Sequence, residues 1–145
     1  MKKNQLVIVT LLFMIFSLSA IFVMAEGSGQ PKNSPFLITD KLPHPTKLLM
    51  QQWDNAELNL SEEQKTKLLV VRKKTMGNVK KLGKEITVLE QQVVDGSLGG
   101  KSPEELRSLV QEIGQLKGEA TMVHLRCIHT TNTILDQQQI DFLNK

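Results

Sequence analysis

One cysteine, one tryptophan and no tyrosine occur in 145 residues, and each scarcity removes a class of protein. With Cys127 alone, no disulfide can close within the chain, so a stapled extracellular scaffold is excluded. So few aromatic side chains give little bulk for a deep enclosed pocket, and they suit long thin helices better than a thick globule. Catalytic constellations are missing as well. There is no G-x-S-x-G, no glycine-rich phosphate loop and no H-E-x-x-H, and the only histidines are His44, His124 and His129. The length allows one modest domain and excludes a multidomain enzyme. A protein that binds, without catalysis or nucleotide, is the expectation.

Long apolar runs are confined to the N-terminus. Lys2 and Lys3 precede Leu6 to Val23, which is apolar apart from Thr10, Ser17 and Ser19, and Val23-Met24-Ala25 is a small-x-small cleavage site, so residues 1–25 read as an export signal. The alternative is an uncleaved anchor, since the stretch approaches the roughly 20 residues that span a bilayer. In both cases the lysines stay inside and the remainder faces outside the cytoplasm. Nothing after Glu26 is apolar enough to stay in a bilayer once the signal is cut. Cleavage also lowers the net charge from +3 to +1 by taking Lys2 and Lys3 and no acid. The working protein is then close to neutral, and no nucleic-acid partner is expected.

Residues 26–45 carry Gly27, Gly29, Pro31, Pro35, Pro43 and Pro45 among polar residues, a composition that reads as a flexible, extended leader. Order is expected after Pro45, in a helical domain over 46–145. Leu49, Trp53 and Ala56 recur at four and three, which predicts a short first helix over Thr46 to Glu57. From Leu68, the positions 68, 72, 75, 79, 82, 86, 89 and 93 keep a four-three rhythm, apolar at six of the eight and polar at Arg72 and Thr75. This predicts a helix from about Ser61 to Val94, stopped by Asp95-Gly96-Ser97-Leu98-Gly99-Gly100. Ser102-Pro103-Glu104-Glu105 then opens another long helix with a capping box, and its apolar line runs Leu106, Leu109, Ile113, Leu116, Ala120, Val123 and Cys127. Two long helices joined by a glycine turn predict an all-α fold, a long antiparallel hairpin with short flanking helices. Leu69, Met76 and Val110 lie beside the seam with no third long helix to cover them, which predicts a homodimer.

Leu60-Ser61-Glu62-Glu63-Gln64 and Leu135-Asp136-Gln137-Gln138-Gln139 are one device used twice. Each has a leucine, a side-chain cap (Ser61, Asp136), two polar residues and a glutamine (Gln64, Gln139) that can reach back to the cap's backbone N–H. Ile140 can staple onto Leu135. Two such boxes behind an export signal resemble the periplasmic Spy and CpxP family with its repeated L-T-x-x-Q motif, over roughly Pro45 to Lys145, with Ser61 and Asp136 where that pattern usually has threonine. The resemblance implies a small all-helical periplasmic protein, cradle-shaped as a dimer. It implies one of three roles: an ATP-independent chaperone for unfolded envelope proteins, a regulator of an envelope sensor kinase, or a zinc- or heavy-metal-binding stress protein.

Eight bases and no acid lie between Lys65 and Lys84. At about 100° per residue, Lys67, Lys73, Lys74, Lys80, Lys81 and Lys84 fall opposite Leu68, Leu82 and Ile86, away from the seam. A solvated face that keeps the protein soluble is the plain reading. What the resemblance implies is a positive surface that draws in unfolded clients, with Val70 among the lysines as an apolar contact, or one that meets an acidic sensor-kinase surface. His124 and Cys127, three apart on one helix face, could share a metal such as zinc, whereas His129 points elsewhere. A tetrahedral site would need further ligands from a second subunit, from His44 or from carboxylates. Cys127 also continues the apolar line, where a free cysteine acts as a small buried hydrophobe.

Overall fold

The computed structural model describes residues 34–39 and 41–144; the expected export signal and its cleavage site lie outside the described residues. Four helices and no strand are found among them: α1 (Pro45–Gln51), α2 (Glu62–Leu98), α3 (Pro103–Ile134) and α4 (Gln137–Leu143). The two long helices pack along each other as the expected hairpin, tied across the seam by a half-buried Lys117–Glu90 ion pair at 2.7 Å. No helix among the described residues is long and apolar enough to cross a membrane.

Both long helices start as their sequences predict. Ser61 accepts from the Gln64 backbone N–H while the Gln64 side chain accepts from the Ser61 N–H, and Ser102 and Glu105 repeat the exchange at α3. Hydrogen bonds from Ser102 hold the Glu105 carboxyl below the ordinary carboxylate range.

The end of α2 lies later than expected. Asp95 and Gly96 stay helical, and the chain reverses only at Gly99 and Gly100, with Gly100 at φ +84°. The Lys101 N–H bonds the Gly96 carbonyl and the Gly100 N–H bonds the Ser97 carbonyl, a Schellman closure that needs its one left-handed residue at Gly100. Gly96 serves packing instead: a Cβ there would stand 2.7 Å from Cδ2 of the buried Leu106.

The first helix ends sooner than its spacing suggested, at Gln51 rather than Glu57. Asn55 explains the stop, because its side-chain oxygen accepts the Glu57 N–H and its amide donates to Gln52, local bonds that compete with helix continuation. Trp53 nevertheless packs where the periodicity placed it, against Leu49, Leu58, Leu68 and Leu135. This cluster forms where α1, the start of α2, the end of α3 and α4 converge.

The segment before α1 departs most from expectation. Ordered contacts begin ahead of Pro45: the Leu37 N–H donates to Thr121 Oγ1 at 2.9 Å, and the Phe36 ring lies 5.1 Å from that of His124. Phe36, half-buried in a proline-punctuated stretch, gives this strap an apolar side chain to pack against α3, while Leu37 is held through its backbone and stays exposed.

Candidate functional site

The two capping boxes meet. Gln64 Nε2 donates to Gln139 Oε1 at 2.8 Å and to the Ile134 carbonyl at 3.0 Å, while Gln139 Nε2 reaches Gln64 Oε1 at 3.2 Å and the Leu58 and Asn59 carbonyls at 3.1 and 3.3 Å. Each amide oxygen also accepts its own cap's N–H, from Ser61 and Asp136 respectively. The paired glutamines thus close two helix starts and tie the entry of α2 to the exit of α3. Leu60 and Ile140 pack on the apolar cluster beside them, with Leu135 buried within it. The motif residues are a structural clasp.

The lysines divide among different surroundings. Lys67 pairs with Glu63 at 2.6 Å and holds that carboxyl below its ordinary range. Val70, 62% exposed, and Lys74 line an open groove of about 780 Å³ between α2 and α3, together with Val71, Val123, Leu125 and Arg126. It continues into a recess of about 610 Å³ that shares Asn78, Val123 and Arg126 and adds Lys81 and Met122. Lys84 lies nearer the hairpin turn, beside Val88 and Leu89. Lys80 belongs to a different cavity, formed under the strap. Lys73 is exposed.

His124 and Cys127 are both buried, and both face the strap. The His124 ring stacks on His44 at 4.5 Å, and its Nε2 lies 3.1 Å from the Pro43 carbonyl. Because a carbonyl only accepts, Nε2 carries the hydrogen and Nδ1 keeps a lone pair, buried without a hydrogen-bond partner among the described residues. Burial, and then the charge of His44, press the His124 pKa below its ordinary value against the opposing effect of the Pro43 bond. Cys127 Sγ lies 3.9 Å from Thr46 Oγ1. His129 is exposed on the groove side, which Cys127 also lines and His124 does not.

This arrangement meets a zinc site only part-way. His124 offers a lone pair with its other nitrogen anchored on a carbonyl, the usual support for a metal-binding imidazole. His44, however, lies nearly parallel to it, 14° between planes, as a stacked cover. Among the described residues no three His, Cys, Asp or Glu side chains gather where one ion could be held. Two donors do not make a tetrahedral structural site.

No family model, curated protein or solved structure matches this chain. Two features escaped the sequence reading. The polar interruptions Arg72 and Thr75 both line the pocket under the strap, a role signalled only by their break in an apolar line. The pairing of Gln64 with Gln139 needed the tertiary fold, since each box alone describes a helix start.

Proposed function

We propose that the protein is an ATP-independent holdase of the bacterial periplasm that captures unfolded or partly folded envelope proteins by reversible binding. The observation that carries this is the open groove between α2 and α3, apolar at Val70, Val71, Val123 and Leu125 and basic at Lys74, Lys81 and Arg126. Unfolded segments expose apolar side chains, and such a groove buries them a few at a time. Weak individual contacts keep release fast, while the lysines raise the encounter rate with clients of net negative charge. The charge is concentrated: the eight bases of 65–84 meet no acid within that stretch. Leu69 and Val110 stand about half exposed, which supports the expected dimer through coverage by a second copy. The Spy and CpxP resemblance supports the same reading, because the paired boxes of that motif are present and form one clasp.

The test is aggregation of a chemically denatured acidic protein, followed by light scattering without nucleotide. The parent protein suppresses aggregation, and Val70→Glu with Val123→Glu, which place acids in the groove lining, abolish suppression while circular dichroism stays helical. Equal suppression by parent and variant would remove the groove from the account.

A further inference from the structure

The polar breaks in the seam converge on one cavity. Under the strap, α1, α2 and α3 border an open pocket of about 370 Å³ lined by Arg72, Thr75, Met76, Val79 and Lys80 of α2, Thr46 and Lys47 of α1, and Phe36 and His44 of the strap, with His124 and Cys127 on its α3 wall. Thr75 and Cys127 line this cavity and the open groove alike, so they stand between the two. Its size is in the range of small-ligand pockets.

The pocket has a sorted chemistry. Arg72 is half-buried, an unusual residue on the apolar seam of a helix, and its one hydrogen bond among the described residues is a long one, Nη1 to the Thr46 carbonyl at 3.4 Å. The rest of its guanidinium fork is left for a ligand. Lys47 and Lys80 stand exposed at the rim, and neither they nor Arg72 form an ion pair among the described residues. No carboxylate lines the cavity. Three cations gathered around one cavity repel one another, and an anion placed among them removes that repulsion. Beside them, Phe36, Met76 and Val79 offer an apolar wall. Arg72, Met76 and Lys80 follow at intervals of four, so the charge and the apolar contact alternate along one row of α2.

We propose that the cavity under the strap is a binding site for a monocarboxylate carrying a short apolar chain, with Arg72 holding the carboxylate, Lys47 and Lys80 screening its charge at the rim, and Phe36, Met76 and Val79 covering the chain. A guanidinium matches a carboxylate through two parallel N–H···O bonds, which fixes orientation, and the apolar wall selects against small hydrophilic anions. The site is separate from client capture in the groove and stands or falls independently of it.

Octanoate is the probe, with octanol and octylammonium as neutral and cationic controls of equal chain length. Titration into the isotopically labelled protein should shift the backbone amides of Phe36, Lys47, Arg72 and Met76 with one-to-one stoichiometry. The controls should bind much more weakly. Arg72→Gln should weaken octanoate about tenfold, as expected for loss of a charge-assisted contact, and added salt should weaken it further. If Arg72→Gln disturbs folding, the exposed pair Lys47→Gln with Lys80→Gln carries the test, and it too should weaken binding while Lys73→Gln leaves it unchanged. A peptide with an apolar C-terminus that displaces octanoate, when its amidated form does not, would identify a chain end as the source of the carboxylate; failure of both peptides to compete would identify a free acid, and either result supports the site. Octanol binding as tightly as octanoate, shifts confined to other parts of the chain, or unchanged affinity in the charge variants would overturn the proposal.

Discussion

Replacing Gln139 by alanine should damage the fold far more than the loss of one helix cap. Gln139 is 6% exposed, and its amide serves the Asp136 N–H, the Gln64 side chain and the carbonyls of Leu58 and Asn59. Alanine leaves the Leu58 carbonyl unpaired next to a leucine that is 1% exposed, and an unsatisfied buried acceptor costs about 1–3 kcal/mol. Loss of the Gln64–Gln139 exchange adds about 1 kcal/mol, so the total is about 2–4 kcal/mol, a large share of a stability of about 5–15 kcal/mol. Gln64→Ala should cost less, because Gln64 is only half-buried and the Ile134 carbonyl and Ser61 N–H it serves are nearer water. Urea unfolding of both single variants and the double variant reads the coupling directly. A paired clasp predicts a double variant less destabilised than the sum of the singles by about 1 kcal/mol. Glu105→Ala, at a capping box with no tertiary partner, should show a much smaller loss and serves as the control. Additive losses at Gln64 and Gln139, or a Gln139→Ala loss no larger than that of Glu105→Ala, would refute the clasp.

Three further outcomes follow from the packing. Gly96→Ala should destabilise by about 1–2 kcal/mol through overpacking against Leu106, whereas Gly77→Ala, with nothing within 4 Å of the new methyl, should stabilise by about 0.5–1 kcal/mol; thermal melts of the pair decide it. His124 has a folded-state pKa depressed below its unfolded value, so its neutral form stabilises the fold above the unfolded pKa, and that contribution is lost as pH falls from there toward the folded pKa. Urea midpoints of the parent should therefore drop between pH 7.5 and 5.5 more than those of His124→Gln, and equal drops would contradict the burial argument. Cys127→Ala should lower stability by about 1–3 kcal/mol with no change in metal content measured by plasma mass spectrometry; stoichiometric zinc lost in both Cys127→Ala and His124→Ala would reverse that reading.

The hairpin was legible because its signals are local. A sustained four-three rhythm, Ser102-Pro103-Glu104-Glu105 as a capping box and Gly99-Gly100 as a turn each act within one or two helical turns. What was misjudged depended on partners distant in sequence. Gly96 resembles a stop until Leu106 is seen to need its space, and Trp53 keeps its packing partners although Asn55 has ended the helix before it. Phe36 and Leu37, read as part of a flexible leader, acquire partners only when Thr121 and His124 of α3 come beside them. For the candidate sites, the sequence placed Val70 and the lysines off the seam. It did not separate Lys80, under the strap, from Lys74 and Lys81, along the groove. Arg72 and Thr75 were visible as interruptions, but their purpose depends on what the strap encloses.

Client capture is tested most directly by the rate at which a fluorescently labelled, permanently unfolded acidic client associates with the parent protein and with a variant carrying Lys73→Gln, Lys74→Gln, Lys81→Gln and Lys84→Gln. Glutamine has nearly the helix propensity of lysine and these side chains are exposed, so the fold is retained. Stopped-flow fluorescence should show slower association for the variant at low salt, with the two proteins converging as salt screens the remaining charge. Equal association rates at low salt would contradict the account and reduce the lysines to a solubilising surface.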